Sequence, residues 1–129
     1  MPSVEEWVEG YRSAWETRDA EAAASLFTED ASYRSNIFEE AHLGRDGVRN
    51  YWAGVTSGQS DVAVKMGRPI SEGDRTMVEW WTTMNVEGSP TTLTGCLILQ
   101  FDESGLCSDL REYWHVGEGS LMPPPGWGE

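Results

Sequence analysis

The chain has 129 residues and a formal net charge of −13, with 22 acidic side chains against 9 basic ones. A chain this acidic is repelled by phosphate backbones and by anionic lipid surfaces, so neither nucleic acid nor a membrane is expected as a partner. No apolar run approaches the roughly 20 residues that span a bilayer, and the N-terminal residues lack the basic and apolar regions of a signal peptide. We therefore expect one cytoplasmic domain, long enough to bury a substantial core.

The cysteines and histidines give no sign of a metal site or of a disulfide. Symmetric pairing of their strands would place Arg111, rather than Cys107, opposite Cys96, so the two thiols are too far apart to be bridged. His42 and His115 are the only histidines, and no Cys/His spacing resembles a metal site. Nothing resembles a glycine-rich phosphate loop either. The sequence therefore predicts neither a metal nor a cofactor.

The N-terminal region is predicted to form two helices. Ser3 and Glu6 make a capping box for the first helix. Its apolar stripe, at helical spacing, consists of Val4, Trp7, Val8, Tyr11 and Trp15. Tyr11 and Trp15 carry polar groups at the C-terminal end, so they either pack in the core or line a cavity. Asp19 is predicted to cap a second, short helix from Ala20 to Phe27.

The next segment is predicted to contain a turn, a strand and a loop. Residues 28–30 are expected to turn, and residues 31–35 to form a short strand on which Tyr33 and Ser35 share a face. Residues 36–43 follow no regular pattern. Glu39, Glu40 and His42 in this loop are either exposed or placed at the mouth of a pocket.

A third helix is predicted to begin at Gly44. Its apolar residues fall at helical spacing: Val48, Tyr51, Trp52 and Val55. Gly54 and Gly58 are expected to mark its end.

From residue 61 onward the pattern changes to that of strands. The sequence predicts a strand over 61–70, a turn over 71–74 and a long strand over 75–86. On the long strand, Trp80 faces the helices with its even-numbered neighbours, and Trp81 faces outward. An outer face that carries Trp81, Thr83, Ile98 and Tyr113 is expected to meet another copy of the chain, which predicts a homodimer.

The last two strands are predicted to form a hairpin around the polar turn 102–105. Alternation along the second strand places Glu112 on the apolar face, together with Leu110 and Trp114. Symmetric pairing about the turn places Gly95 opposite Glu112, which would leave room for the carboxylate. This inward-pointing acid is the sharpest chemical feature of the sequence.

The chain is predicted to divide into a domain of residues 1–116 and a Pro/Gly-rich tail of residues 117–129. The tail is expected to be extended, with polyproline character. It is either mobile or held to the body or to a partner subunit through Trp127.

The order of these elements resembles that of the nuclear transport factor 2-like superfamily, which includes SnoaL-like polyketide cyclases, ketosteroid isomerases and limonene-epoxide hydrolases. The resemblance covers roughly residues 4–116. Four stretches carry it: Tyr11 to Asp19, Leu26 to Ala31, Gly44 to Trp52, and Gly105 to Trp114. It implies an α+β fold, in which a cone-shaped curved mixed β-sheet wraps around N-terminal helices as in a cystatin-like α+β barrel.

The catalytic patterns of these relatives match this chain only in part. Tyr11 is similar to the oxyanion-hole tyrosine of the ketosteroid isomerases, but their two acids would fall near Ser35 and Leu97. Glu112 and Tyr33 resemble the final-strand acid and early-strand tyrosine of the epoxide hydrolases, whose companion arginine and aspartate would fall near Gly95 and Leu97. The SnoaL-like cyclases, which use one pocket acid, conflict least with the sequence.

Two functions remain open from the sequence. One is general acid/base catalysis on a small, largely apolar molecule, with Glu112 transferring the proton and Tyr11 and Tyr33 stabilising an oxyanion. The residues expected to contact that molecule are Trp15, Ser35, Trp52, Trp80, Leu97, Leu110 and Trp114. The other is a non-catalytic module of the same fold that binds a ligand or acts as a dimeric interaction domain.

Overall fold

A computed structural model describes residues 2–129, with three helices packed against one side of a sheet. Helix α1 spans Val4–Glu16 and begins with the predicted capping box, in which Glu6 N–H donates to Ser3 Oγ and Ser3 N–H donates to Glu6 Oε1. Helix α2 spans Ala20–Ala24 and is capped by Asp19 as expected. Helix α3 spans Gly44–Thr56. In the described part of the chain, no helix is long and apolar enough to cross a membrane.

The sheet is mixed, curved and not closed into a barrel. Its seven strands are β1 (Phe27–Arg34), β2 (His42–Leu43), β3 (Gln59–Met66), β4 (Ile70–Glu72), β5 (Arg75–Val86), β6 (Ser89–Phe101) and β7 (Cys107–Glu118). They follow the order β2-β1-β7-β6-β5-β3, and β4 pairs with the end of β5. Within the described residues, β1 and β7 form the one parallel pair, and all other pairs are antiparallel. The predicted α+β class and cone-like sheet around the helices are confirmed.

The start of the sheet differs from the prediction. Helix α2 ends at Ala24, and Phe27 already belongs to β1, so the predicted turn over 28–30 lies within that strand. The pairing of β1 with β7 shifts its register between Phe27 and Ser32. This irregularity holds the polar residues 28–30 away from the core, which is why their sequence is typical of a turn. Residues 42–43, predicted as loop, form β2 against Ser32 and Tyr33.

The prediction is accurate for β5 and less accurate for the two strands before it. The range of β5 and its alternation of buried and exposed residues are as expected. The predicted strand over 61–70 is instead divided into β3, which already begins at Gln59, and the short β4. Strands β5 and β6 meet at a two-residue turn in which Glu87 and Gly88 both have positive φ, the geometry that matches strand twist.

The register of the β6–β7 hairpin was predicted incorrectly by two residues. Glu112 pairs with Leu97, and Gly95 pairs with Trp114. The turn is one residue longer than expected, because Asp102 N–H donates to Leu106 O and the Asp102 carboxylate accepts from Leu106 N–H. A further residue is inserted where the register shifts next to Phe101. Two shifts of one residue restore the original face, so Glu112 still points inward.

The C-terminal segment packs along the outer face of the sheet of its own chain. Trp81 Nε1–H donates to Leu121 O at 3.0 Å, and Arg68 N–H donates to Gly128 O at 2.7 Å. The Trp127 ring lies 5.8 Å from the Trp81 ring, and the Lys65 ammonium lies 5.5 Å from the Trp127 centroid. Of the two states left open for Trp127, the structure therefore has the packed one. The tail covers Trp81, one of the residues expected to meet a second copy.

Candidate functional site

Glu112 is a buried carboxyl group on the inner face of β7. Its side chain is only 7% exposed, and it lies within a core formed by α1, α3 and the sheet. Desolvation raises its pKa from 4.5 to about 8, while a hydrogen bond from Tyr33 acts in the opposite direction. Most Glu112 side chains are therefore neutral at pH 7. A neutral buried carboxylic acid can donate a proton or a hydrogen bond, which an ionised one cannot.

A small cavity of about 90 Å³ lies beside Glu112. Its walls are mostly aromatic, and no cationic side chain among residues 2–129 lines it. The lining residues are Tyr11, Trp15, Tyr51, Trp52, Val55, Gln59, Trp80, Leu93, Glu112 and Trp114. Ordinary ligand pockets hold about 300–1,000 Å³, so this one accommodates only a molecule of few non-hydrogen atoms.

Aromatic packing fixes the shape of the cavity. The Trp15 ring meets those of Trp52 and Trp80 at centroid distances of 5.4 and 5.0 Å, with their planes steeply inclined. Tyr11 meets Trp52 edge to face at 5.6 Å. Such pairs hold their rings in specific orientations. Trp15 Nε1–H also donates to Gln59 Oε1 at 3.0 Å, which ties helix α1 to the start of β3.

Two buried tyrosines connect to Glu112 through their hydroxyl groups. Tyr33 Oη–H donates to Glu112 Oε1 at 3.3 Å, and the Tyr11 and Tyr33 hydroxyl oxygens are 3.4 Å apart. Burial is the largest cause that raises the pKa of both phenols well above the usual value, and the negative charge of ionised Glu112 is the second. The tyrosines therefore keep their protons at all ordinary pH values. They can stabilise a carboxylate or an oxyanion by hydrogen bonding, but they do not supply a proton acceptor.

Glu112 also borders a second, open groove of about 480 Å³ near the end of β7. Its lining includes residues 36–38 and residues 113–115. Phe38 in this loop is 95% exposed. Glu112 is thus shared by the lining of the aromatic cavity and the lining of this open groove.

Apart from Glu112, the predicted site residues fall into three groups. Those that line the cavity with Glu112 are Tyr11, Trp15, Trp52, Trp80 and Trp114. Tyr33, Leu97 and Leu110 are fully buried behind the lining, and Tyr33 reaches Glu112 from there. Ser35 stands beside the mouth, where its carbonyl oxygen accepts from Trp114 Nε1–H at 2.7 Å.

Four lining residues were not predicted: Tyr51, Val55, Gln59 and Leu93. Tyr51 and Val55 belong to the predicted apolar stripe of the third helix, so helical spacing next to Trp52 could have identified them. Leu93 shares the inner face of β6 with Leu97, so alternation was a sufficient signal. Gln59 has no such signal, because its position depends on where β3 begins.

The acidic loop and His42 lie near the site without joining it. Glu39 and Glu40 are exposed, while the His42 ring packs 4.6 Å from the Tyr51 ring. Among residues 2–129, no group of three or more His, Cys, Asp or Glu side chains is arranged to hold a metal ion. Cys96 and Cys107 are free thiols, as the sequence predicted.

The fold is shared with several solved structures. A protein from Catenulispora acidiphila with a ketosteroid isomerase-like fold, solved with trimethylamine, is 18% identical, with a TM-score of 0.77 and 86% of each chain covered. The epoxide hydrolase/cyclase-like enzyme SalBIII, which has a role in pyran ring formation in the polyether salinomycin, is 18% identical with a TM-score of 0.77. That match covers 88% of this chain and 94% of SalBIII. An epoxide hydrolase of M. tuberculosis, similar to limonene-epoxide hydrolases, is 16% identical with a TM-score of 0.69, over 84% and 80% of the two chains.

Sequence comparison gives the family directly. No curated protein matches the chain. The model of the SnoaL-like domain matches residues 6–109, which include the helices, the cavity-lining tryptophans Trp15, Trp52 and Trp80, and the first six strands. The chain therefore belongs to the SnoaL-like domain family, within the nuclear transport factor 2-like superfamily.

Proposed function

We propose that the cavity binds a small, largely apolar molecule and that Glu112 acts on it as a general acid. The observation that carries this proposal is a carboxyl group with a pKa of about 8, buried against an aromatic cavity. A general acid works best when its pKa is near the working pH. Structural carboxylates that are held in ion pairs have lowered pKa values instead.

The chemistry follows from the protonation state. Neutral Glu112 transfers its proton to an epoxide or ketone oxygen of the bound molecule while a water molecule, or a hydroxyl group of the same molecule, bonds to the adjacent carbon. The bond from that carbon to the epoxide oxygen, or the second bond of the carbonyl, breaks at the same time, and the proton of the attacking hydroxyl passes to solvent. The resulting carboxylate keeps the hydrogen bond from Tyr33, and Tyr11 supports that hydroxyl in turn. The proton then returns from solvent through the groove. Two of the structural relatives are named as an epoxide hydrolase/cyclase-like enzyme and as an epoxide hydrolase. Their names are consistent with the proposal that the bound molecule reacts at an oxygen atom.

The test is a screen of small epoxides and cyclic ketones, followed with the Glu112→Gln variant. We expect turnover to fall by about 10²–10⁴-fold in this variant, the usual contribution of a general acid. The rate should also fall as the pH rises above about 8, where the proton of Glu112 is lost. Glu103→Gln, an exposed position in the β6–β7 turn, is the control. Full activity of Glu112→Gln would refute the proposal.

A second candidate function is the binding of a small alkylammonium ion without catalysis. Aromatic walls with one carboxylate and no cationic side chain suit such a cation, and one structural relative was solved with trimethylamine. The cation would bind the ionised form of Glu112. Affinity for tetramethylammonium should therefore increase from pH 6 to pH 9 in calorimetric titrations. An affinity that is independent of pH, or unchanged in Glu112→Gln, would argue against this function.

We also propose that two chains associate through the part of the outer sheet face that the tail leaves open. Large apolar side chains support this: Ile70, Met77 and Tyr113 are 65%, 48% and 46% exposed. Such patches usually mark an interface. Sedimentation should therefore show a dimer that Met77→Glu dissociates. A wild-type chain that stays monomeric at all concentrations would exclude the proposal.

A further inference from the structure

The second half of strand β7 has a neighbouring strand on one side only. Residues 112–118 pair with residues 91–97 of β6. On the other side, β1 pairs with β7 only as far as Arg111, and no other strand among residues 2–129 continues that edge. The N–H and C=O groups of a strand point alternately to its two sides. The backbone groups of residues 112–118 that point away from β6 therefore have no strand to bond.

This edge lacks the features that usually protect an open one. Folded proteins block such edges with lysine, proline or a bulge. Residues 113–117 contain neither lysine nor proline, and they pair with β6 without a shift of register. Their apolar side chains are exposed on both faces of the sheet, because Tyr113, Trp114 and Val116 are 46%, 42% and 60% exposed. A long apolar edge of this kind is a place where a further strand can pair.

The open groove runs along the same edge. Residues 36–38 follow β1, so they lie on the side of β7 that β1 has left free, and together with residues 112–115 they line the groove of about 480 Å³. Trp114 Nε1–H donates to Ser35 O at 2.7 Å, which holds the beginning of this loop beside β7. Neighbouring strands lie about 4.8 Å apart. A strand added to β7 would therefore occupy the groove, with the exposed ring of Phe38 beside it.

The charges around the edge indicate what kind of strand it accepts. The glutamates at residues 39–40 and Glu118 are exposed. Two arginines lie nearby, but Arg34 donates to the carbonyl oxygen of residue 39, and Arg111 lies 3.7 Å from the Asp109 carboxylate. The chain as a whole carries a charge of −13. It therefore attracts a cationic segment and repels a second copy of itself.

We propose that the edge of β7 over residues 112–118 is a docking site for an extended cationic segment of another protein, which adds a strand to the sheet. Main-chain hydrogen bonds supply the affinity in this mode of recognition, and alternate side chains supply the specificity. Apolar side chains of the segment fit the face of Trp114 and Val116, and lysine or arginine side chains between them complement the acidic surroundings. The inference does not depend on chemistry in the cavity, although Glu112 borders both spaces.

The experiment is an NMR titration of wild-type protein with the capped peptide Lys-Val-Lys-Val-Lys-Val-Lys, followed by amide hydrogen exchange. We expect the peptide to slow exchange of the amides of residues 112–118 that point away from β6. The matched peptide control is the same sequence N-methylated on its central residues, which keeps the charge but removes backbone donors. It should bind at least roughly tenfold more weakly, since it loses more than one main-chain hydrogen bond. A peptide with glutamate in place of lysine should not bind.

Variants of exposed residues test the position of the segment without disturbing the fold. Phe38 is 95% exposed, so Phe38→Ala removes only a wall of the groove. We expect it to weaken binding of the peptide roughly three- to tenfold, the value of one aromatic contact. Ile70→Ala is the control, because Ile70 is also exposed but lies on β4, beyond β5 and β6 from the edge. It should leave the affinity unchanged, and equal effects of the two substitutions would contradict the proposed position.

The remaining outcomes each overturn the inference in a recognisable way. Equal binding of the N-methylated peptide would mean that the attraction is only electrostatic. Protection of residues 112–118 that increases with protein concentration, without peptide, would mean that a second copy pairs with this edge. Unchanged exchange of these residues with every peptide would mean that the edge is not a docking site. Failure of the proposed function is observed separately, because inactivity toward small molecules alters none of these peptide measurements.

Discussion

Glu112 should make the stability of this protein decrease as the pH rises, the opposite of what ion-paired carboxylates do. Its pKa is about 8 in the folded state and 4.5 when unburied. Between these values the folded state retains a proton that the unfolded state has lost, so the free energy of unfolding falls with increasing pH and levels off above about 8. The slope is about 1.4 kcal/mol per pH unit. Relative to its value below pH 4.5, the free energy of unfolding is therefore lower by roughly 3 kcal/mol at pH 7 and by roughly 5 kcal/mol above pH 8. The larger value equals the whole stability of a marginal domain, about 5 kcal/mol.

The substitution Glu112→Gln removes this titration and keeps the shape of the side chain. The amide oxygen of Gln can still accept the hydrogen bond of Tyr33. We expect the variant to be within about 1 kcal/mol of wild type at pH 5, and more stable by roughly 3 kcal/mol at pH 7 and 5 kcal/mol at pH 9. Urea denaturation, followed by tryptophan fluorescence, measures the difference in unfolding free energy between the variant and wild type. The contributions of all other titrating groups cancel in this difference.

Two results would refute this reasoning. A difference in unfolding free energy that stays constant from pH 5 to pH 9 would mean that Glu112 titrates alike in the folded and unfolded states. A difference of opposite sign would mean that an ion pair lowers its pKa. Glu103→Gln, at an exposed position, should show no pH dependence, and a carboxyl NMR titration of Glu112 gives its pKa directly.

Three further predictions test the surroundings of the site and the tail. Tyr33→Phe removes the hydroxyl that stabilises the carboxylate, so the pKa of Glu112 should rise further; an unchanged value in carboxyl NMR would contradict the hydrogen bond. Gly95→Ala should destabilise by about 1–3 kcal/mol, because its Cβ would lie 2.5 Å from a carbonyl oxygen of β7 and 2.8 Å from each of two tryptophan side chains. Gly54→Ala on α3, where nothing lies within 4 Å, should instead stabilise by about 0.5–1 kcal/mol in the same denaturation assay, and equal effects at the two glycines would refute the close approach. Trp127→Ala should lower the free energy of unfolding by about 1 kcal/mol and speed the hydrogen exchange of the backbone amides that bond to the tail. Unchanged exchange would mean that the tail contributes nothing to the stability of the sheet.

The parts of the fold that local rules determine were predictable from the sequence. The capping box of Ser3 and Glu6 places the start of α1 because its two hydrogen bonds involve residues only three apart. The alternation along β5 gives both its range and its inner face, because side chains of a strand point to opposite sides in turn. The orientation of Glu112 follows from the same rule.

The parts that depend on distant or cooperative features were not predictable. The β6–β7 register needs the inserted residue beside Phe101, and no sequence pattern marks it. The strand character of residues 28–30 depends on β7, nearly eighty positions away, because it is β7 that pairs with β1. That the buried indole nitrogens of Trp52 and Trp80 have no hydrogen-bond partner among residues 2–129 is visible only when every possible acceptor has been placed. The resemblance to a family supplied the arrangement of the sheet, and three-dimensional packing supplied the cavity.

The parallel pairing of β1 with β7 has a consequence for how the molecule assembles. Tyr33 and Glu112 are 79 positions apart, so their contact closes a long loop and carries a large entropic cost. During synthesis β1 has no neighbour on one side until the final strand leaves the ribosome, and the core beneath it stays open to water until then. The α1–α2 pair and the β5–β6 hairpin involve near neighbours and can form early. We therefore expect Tyr33 and Glu112 to meet late in folding, and a chain that stops short of residue 112 contains most of the fold but lacks the buried acid.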